Sequence, residues 1–238
     1  MPMTSSPVAR ALHGSVLDAL GTAVTAGRLL PGNVLTLDGI CQEYAVSRSV
    51  AREAVRVLES MGLIASRRRV GLTVRDRAHW NVFDPQVIRW RLAGEDRVAQ
   101  LLSLSELRLG VEPVAARLAA TRATPEQSRR LAEAVRDMEI YSGQGALAEF
   151  LHSDQLFHRT LLEASGNEML ASLGEMVGGV LEGRTHHHLM PAKPNPEAIA
   201  LHDAVARAVR TRDPDGAERA MRAIIDESVQ AMAEEARD

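Results

Sequence analysis

The last three fifths of this sequence consist of amphipathic helical segments separated by short breaks. From Asp96 onward, apolar residues recur at the three- and four-residue spacing of a helix. The breaks between them are ATP, SGQG, SGN, PAKPNP and RDPDG. This region shows no strand alternation, no phosphate-binding glycine loop and no repeat of fixed period. The apolar spacing and the breaks together predict helices over 96–121, 125–141, 145–165, 167–189, 196–211 and 214–236. Helices joined in this way predict an all-α antiparallel bundle over 96–238.

The N-terminal third is organised differently. PVARALHGSVLDALGTAVTAG predicts a first helix, and LLPGNVLT is a turn that leads to Thr36, the expected cap of a short second helix. Ser47 is the expected cap of a third helix that ends at Gly62. LIASRRRVGLTVRD then predicts two short strands around an arginine-rich tip, over 63–66 and 72–74. Three helices and a basic hairpin predict a winged helix-turn-helix over 1–78.

Arginines on the third helix lie opposite its apolar face. The apolar residues at helical spacing are Val50, Ala54, Val57, Leu58 and Met61, and the opposite side carries Arg48, Arg52 and Arg56. Residues 1–80 carry a formal charge of +4 and the remainder −7, which predicts that only the first part meets a polyanion. The alternative is a solvated arginine face paired with Glu53 and Glu59. The cap, the short turn and the RRR tip favour contact with double-stranded DNA.

The remaining features limit the class of protein. A single cysteine excludes an intrachain disulfide, and no apolar run approaches the ~18 residues of a membrane span. The N-terminus lacks the apolar core of a signal peptide. We therefore expect a cytoplasmic protein that does not engage a membrane. Residues 79–95 are expected to form a linker in which Trp80 and Trp90 flank a short helix capped by Asp84.

Polar residues interrupt the apolar stripes of three predicted bundle helices. One stripe contains Asp154 and His158, another His202, and a third Arg108. These groups cannot remain unpaired in a bundle interior, because a buried unpaired charge costs several kcal/mol. Asp154 and His158, four residues apart, suit chelation of one ion. Each residue alone is compatible with a satisfied core histidine or a buried ion pair, but together they favour a ligand or metal pocket.

The N-terminal blocks GRLLPG, VSRSVAREAVRVLESMGLI and RRRVGLTV resemble the GntR family of bacterial transcription regulators over about residues 8–75. The resemblance implies that the start of the third helix enters the major groove and that the wing tip reaches the minor groove. The expected DNA-binding residues are Thr36, Ser47, Arg48, Ser49, Arg52, Arg67, Arg68 and Arg69. Two positions depart from the family pattern, Ala51 and Gly39 within the second helix, and neither lies on the expected contact face.

Three segments of the bundle, ELRLGVEPVAARLAATRAT, HSDQLFHRTLLEASGN and EAIALHDAVARAVRTRDPDGAERAMR, resemble the FCD effector domain of the FadR branch of that family, over about residues 100–228. The resemblance implies a divalent metal (zinc, nickel or manganese) held by Asp154, His158 and His202. It also implies a carboxylate effector that pairs with Arg108 and adjoins both histidines. The fourth ligand position falls at the apolar residue Ile224, and one of His186, His187 and His188 is an alternative donor or simply an exposed helix end.

The expected function is that of a ligand-responsive transcriptional repressor, a homodimer on a pseudo-palindromic operator. WNVFDPQVIRW resembles members that respond to sugar acids such as galactonate or gluconate. Two alternatives remain at this point. One is a metal-dependent enzyme in the bundle. That interpretation would leave the basic N-terminal module unexplained, and the apolar stripes contain no additional carboxylate that could clearly serve as its catalytic acid or base. The other is a DNA-binding protein whose bundle only dimerises. Because of the two objections to the first alternative, we do not expect an enzyme.

Overall fold

The computed structural model describes residues 7–95, 97–186 and 195–235. The chain forms two compact units, which meet between Arg97 and Val98. The fold is mainly helical with one small sheet, as the sequence predicted. Within the described ranges, no helix is both long enough and apolar enough to cross a membrane.

The first unit has a helical core and a three-stranded sheet. Its helices are α1 (Pro7–Thr25), α2 (Leu37–Glu43), α3 (Arg48–Ser60) and α4 (Pro85–Leu92), with a 3-10 turn at Arg77–His79. Its strands are β1 (Val34–Leu35), β2 (Ile64–Arg67) and β3 (Gly71–Val74), in the antiparallel order β1-β3-β2. Ile64 is opposite Val74, and Val34 is opposite Thr73. The architecture is a winged helix-turn-helix with one more strand than predicted.

Local capping explains where α2 and α3 begin. The side chain of Thr36 accepts a hydrogen bond from the Gly39 amide at 3.0 Å, and Ser47 accepts one from the Val50 amide at 3.4 Å. After α3, Gly62 takes a positive φ of 76°. Its missing side chain is required, because a Cβ there would lie 2.1 Å from the His79 carbonyl oxygen. This close approach turns the chain sharply from α3 into β2.

The buried face of α3 differs from the predicted one. Ala51, Ala54, Val55 and Leu58 are buried, whereas Val50 and Val57 are only partly covered. Ala51, noted above as a departure from the family pattern, is completely buried. The arginine face predicted from the sequence is exposed.

The segment between the predicted domains packs on the first unit. Asp84 caps α4 as predicted by accepting a hydrogen bond from the Gln86 amide at 2.8 Å. Trp90 lies inside this helix instead of flanking it, and its indole N–H donates to Asp18 of α1 at 2.9 Å. The indole is buried in the same apolar cluster as α1 and α3. Residues 85–92 are therefore part of the first unit.

The second unit consists entirely of helices in its described residues. They are α5 (Arg97–Arg122), α6 (Pro125–Gln144), α7 (Leu147–Ala164), α8 (Glu168–Ala171), α9 (Gly174–His186), α10 (Pro196–Thr211) and α11 (Pro214–Glu235). Alanines of α5, Phe157 of α7 and aliphatic residues of α6, α10 and α11 form its apolar core.

One predicted helix of the bundle is wrong in its extent. The segment 167–189 was expected to be continuous, but α8 ends at Ala171 and α9 begins at Gly174. The Leu173 amide bonds to the Leu170 carbonyl at 3.1 Å, a tighter three-residue turn that interrupts the α-helical ladder. The last residues of that prediction lie outside the described part of the chain.

Candidate functional site

The bundle interior brings together three potential metal ligands. Asp154 and His158 come from successive turns of α7 and His202 comes from α10, and all three are buried. The Asp154 Oδ1 atom lies 3.3 Å from the His158 Nε2 atom and 3.2 Å from the His202 Nε2 atom. The two Nε2 atoms are 3.4 Å apart. The structure thus gathers the three residues that the sequence predicted as ligands.

The hydrogen bonds around the triad determine which ring atoms are acceptors. The Nδ1 atom of His202 lies 2.7 Å from the Ala198 carbonyl oxygen, which can only accept, so Nδ1 carries the proton. The Nδ1 atom of His158 likewise donates to the Glu112 carboxylate. In the neutral imidazoles, each Nε2 atom therefore carries a lone pair, and each lies within 3.3 Å of the Asp154 Oδ1 atom. Three acceptors this close require a positive charge among them, either a proton or a metal ion.

The spacing of these atoms fits one divalent ion. Ligand bonds of about 2.1 Å and ligand separations near 3.3 Å correspond to angles of about 100° at the ion, close to tetrahedral. Phe157 packs edge-on against both imidazoles, with ring centroids 5.6 Å from His158 and 4.9 Å from His202. The Asp154 Oδ1 atom has no hydrogen-bond partner among the described residues. The donor set and its spacing fit a transition metal.

Charges in the site shift the pKa values of its titratable groups. Burial alone would raise the pKa of Glu112, but Arg108 and His158 outweigh it and lower that pKa to about 2. The two imidazoles outweigh burial at Asp154 and lower its pKa strongly. Burial alone would lower the pKa of His158, but the charge of Glu112 and the contact with Asp154 raise it. In the absence of a metal, the proton among the three acceptors is therefore expected to be held by His158.

Arg108 is completely buried on α5, and only part of its guanidinium is paired. The Nε atom donates to Glu112 at 2.5 Å. The two terminal nitrogens have no hydrogen-bond partner among the described residues. A buried cation with two unused donor groups is suited to receive a carboxylate in a bidentate geometry. Leu107 and Val111, its apolar neighbours on α5, are partly exposed.

Glu112 was not identified from the sequence. It lies one turn after Arg108 on α5, and an acid four residues from an arginine is more often an exposed helix pair. The available signal was its helical spacing from Ala115, Ala116 and Ala119, which places it on the apolar face of α5. The predicted fourth ligand position, Ile224, is buried in the apolar core and offers no donor. His187 and His188 lie outside the described residues, and the side chain of His186 is likewise not described.

The residues predicted to contact DNA lie on the exposed surface of the first unit. Arg48 and Arg52 are exposed on α3, and Arg67, Arg68 and Arg69 are exposed at the hairpin between β2 and β3. Arg48 forms a 2.8 Å ion pair with Asp38, in which both side chains are more than half exposed. Such a pair contributes little to stability, which leaves the guanidinium available to another partner.

A hydrogen bond connects the third helix to the hairpin. The Glu59 carboxylate on α3 accepts from the Ser66 amide of β2 at 2.8 Å. The Ser47 and Ser49 hydroxyls, at the start of the same helix, are 2.9 Å apart. Thr36 is exposed at the start of α2. The C-terminal end of α3 is therefore tied to the hairpin, and the same helix carries the exposed residues at its start.

Known families match both units. Residues 12–74 match the family described as bacterial regulatory proteins, gntR family, and residues 103–227 match the FCD domain. The chain is 30% identical over 221 residues to the galactonate operon transcriptional repressor of Escherichia coli, covering 92% of this chain and 96% of that protein. It is also 30% identical to the transcriptional repressor NanR of Cronobacter sakazakii, over 75% of this chain and 68% of that protein.

A solved structure shares the fold. The Escherichia coli protein McbR/YncC superposes with a TM-score of 0.56 at 18% sequence identity, covering 98% of this chain and 99% of that one. At this identity the similarity concerns the fold alone.

Proposed function

This chain belongs to the GntR family of bacterial transcription regulators and carries an FCD domain, and we propose that it is a metal-dependent repressor controlled by a small carboxylate. It acts as a homodimer on a pseudo-palindromic DNA operator in the cytoplasm. The family and its relatives are regulators, so the alternative of an enzyme in the bundle is wrong. The buried, partly unpaired Arg108 beside the acceptor triad is the observation that carries the effector proposal.

The DNA-binding proposal assigns different roles to the helix and the hairpin. Arg48 and Arg52, with Thr36, Ser47 and Ser49, contact the major groove, where arginine recognises guanine edges. The hairpin arginines 67–69 contact the adjacent backbone and minor groove. The Glu59–Ser66 hydrogen bond supports this assignment because it fixes one contact region relative to the other.

The effector proposal follows from the charges in the bundle. The terminal nitrogens of Arg108 receive the carboxylate of the effector, since no described residue uses them. In the metal-free site, the negative charges of Glu112 and Asp154 are balanced by the positive charges of Arg108 and protonated His158, so an anion gains little attraction. A divalent ion in place of that proton adds a net positive charge. We therefore infer that the effector carboxylate binds to the metal-loaded form, with His158 and His202 adjoining it as ligands of the ion.

The metal proposal assigns Asp154, His158 and His202 as the protein ligands of zinc, nickel or manganese. When bound, the ion supplies positive charge and open coordination positions for oxygen atoms of the effector. Ile224 supplies no fourth donor, so more positions stay open than in a site with four protein ligands. Sugar acids offer both carboxylate and hydroxyl oxygens to such a site. Galactonate, which the name of the Escherichia coli relative mentions, is the first candidate, and gluconate is a related sugar acid.

The homodimer proposal draws support from the surface of the second unit. Val98 and Leu102 lie one turn apart on α5 and are exposed, as are Val114, Ile140 and Met169. Exposed apolar residues that lie together are typical of association surfaces, and Val98 and Leu102 lie together on α5. Light scattering at micromolar concentration should give twice the monomer mass. A monomer both with and without ligand would contradict the proposal.

Metal analysis and a ligand screen test the effector site. Protein purified without a tag or added metal should contain about one zinc, nickel or manganese per chain. Galactonate or gluconate should raise the melting temperature of the metal-loaded form. Metal-free protein that still binds a sugar acid would instead favour a metal-free site in which His158 and His202 hydrogen-bond to its hydroxyls and Arg108 pairs with its carboxylate.

Selection from random duplex DNA tests the operator. The enriched sequences should contain two inverted half-sites, and galactonate or gluconate should change their affinity in fluorescence anisotropy. Enriched sequences without a repeated half-site would contradict a dimer on a palindrome. Operator binding that is insensitive to every sugar acid and metal would favour the alternative of a bundle that only dimerises.

A further inference from the structure

Glu112 contacts both Arg108, the proposed carboxylate-binding residue, and His158, a proposed metal ligand. Its Oε1 atom accepts from the Arg108 Nε atom at 2.5 Å, and its Oε2 atom accepts from the His158 Nδ1 atom. All three side chains are at most 1% exposed. We propose that Glu112 is a positioning residue that couples metal affinity at the triad to Arg108, although neither residue is a ligand of the ion. This inference rests on the proposed metal site and adds its regulation.

The contact with His158 fixes the tautomer of the imidazole. An ionised carboxylate only accepts hydrogen bonds, so it requires the proton on Nδ1 and leaves the lone pair on Nε2, the atom that lies next to Asp154 and His202. A glutamine in place of Glu112 would present an amide group that can donate to Nδ1. The imidazole proton would then move to Nε2, the atom that must be free to bind the ion.

The contact with Arg108 regulates the strength of that effect. The guanidinium attracts part of the negative charge of Glu112 and thereby weakens its hydrogen bond to His158. Without the guanidinium, Glu112 would polarise the imidazole more fully, and Nε2 would become a stronger donor to a metal. Any ligand that engages the terminal nitrogens of Arg108 would act in the same direction, because it would share the positive charge. Binding of an anion at Arg108 and binding of a metal ion at the triad would thus be coupled through the Glu112 carboxylate.

A purely structural role for Glu112 is the competing explanation. A buried arginine requires a counter-ion, and Glu112 would satisfy that need without any effect on the triad. This explanation predicts a loss of stability on substitution, but no change in the tautomer of His158. The two explanations therefore differ in a spectroscopic property as well as in metal affinity.

Zinc titrations of the full-length, untagged protein provide the first test. Glu112→Gln should weaken zinc binding about 10- to 100-fold, the usual effect of removing an orienting partner from a histidine ligand. The exposed Glu139 of α6 offers a matched control, and Glu139→Gln should bind zinc within about twofold of wild type. Nitrogen-15 NMR of the metal-free protein, at a pH where His158 is neutral, should show its proton on Nδ1 in the wild type and on Nε2 in Glu112→Gln.

A double-mutant cycle tests the coupling to Arg108. Arg108→Met should tighten zinc binding at least threefold when Glu112 is present, and the effect should be at least threefold smaller in the Glu112→Gln background. Effects that multiply independently within about twofold would overturn the coupling. If Arg108→Met does not fold, the tautomer comparison decides, and an unchanged tautomer in Glu112→Gln overturns the inference.

The same titrations separate this inference from the proposed function. A wild-type protein that binds no zinc overturns the metal site and, with it, any role of Glu112 toward an ion. A zinc-binding wild type with an equally tight Glu112→Gln variant overturns the role of Glu112 alone and leaves the metal site intact.

Discussion

Trp90 of α4 packs directly over Gly21 of α1. A Cβ atom on Gly21 would lie 2.4 Å from the indole ring, closer than any side chain can approach. The indole N–H also donates to Asp18 one turn earlier on α1. The glycine therefore sets the distance between the two helices, and it explains why a segment expected to be a linker is docked on the DNA-binding unit.

Gly21→Ala should destabilise the first unit by about 1–3 kcal/mol, the usual cost of overpacking. Gly14 is a matched control on the same helix, because a Cβ there meets nothing within 4 Å. Gly14→Ala should stabilise α1 by up to about 1 kcal/mol. Urea unfolding monitored by tryptophan fluorescence measures both, since Trp80 and Trp90 are the only tryptophans and both belong to this unit. Equal effects of the two substitutions would contradict the close packing.

Arg52→Ala should reduce operator affinity by about 1–3 kcal/mol, because a good base contact is worth that amount. We expect Arg48→Ala to act similarly, although Arg48 must first leave Asp38. Both side chains are exposed, so unfolding free energies should hardly change. Arg136→Ala, an exposed arginine on α6, serves as control. Anisotropy titrations in which both α3 variants bind like wild type would refute the groove assignment.

Arg68→Ala at the hairpin should weaken binding to specific and unrelated duplexes by a similar factor. A phosphate contact carries no sequence information, and its loss reduces the slope of log K against log salt by about 0.9. Titrations at several salt concentrations measure that slope. A specific loss on the operator alone, with an unchanged slope, would show that Arg68 contacts bases instead.

Much of this organisation was predictable from local sequence. The caps Thr36, Ser47 and Asp84 were identified correctly because capping depends on a few adjacent residues. The triad was also predictable, since Asp154 and His158 share a helix face and a polar residue in an apolar stripe is conspicuous.

The errors have a common physical origin. β1 has only two residues and exists because β3 pairs with it, a contact that is remote in sequence. The role of Glu112 likewise depends on His158, a residue of another helix. The position of Trp90 depends on a glycine on α1. Local patterns cannot predict such tertiary partners.

Glu112 should make the metal-free protein sensitive to acid. Its pKa is about 2 in the folded state against an ordinary 4.5. A depressed pKa stabilises the fold above pH 4.5, and that stability is lost as the pH falls from 4.5 toward 2. The linked free energy is on the order of 3 kcal/mol. Glu112→Gln should be less stable at neutral pH and should lose less stability over this range, as measured by urea unfolding. An equally steep acid dependence in wild type and Glu112→Gln would contradict the folded pKa.

By family register, Ile224 stands at the fourth ligand position of the proposed metal site. His158→Ala should remove most of the bound metal, since it deletes one of three ligands. By family register, Ile224→His places an imidazole at the missing fourth position and should tighten zinc binding at least tenfold.

The cost of Ile224→His is an additional polar ring in an apolar core, so this variant should be less stable than wild type without metal and should gain more from zinc. Ile224→Val, which keeps the apolar character, should bind zinc like wild type. Calorimetric zinc titrations compare the three proteins. If Ile224→His folds and its zinc affinity equals that of wild type, residue 224 does not face the triad, and the register that assigns it the fourth ligand position is wrong.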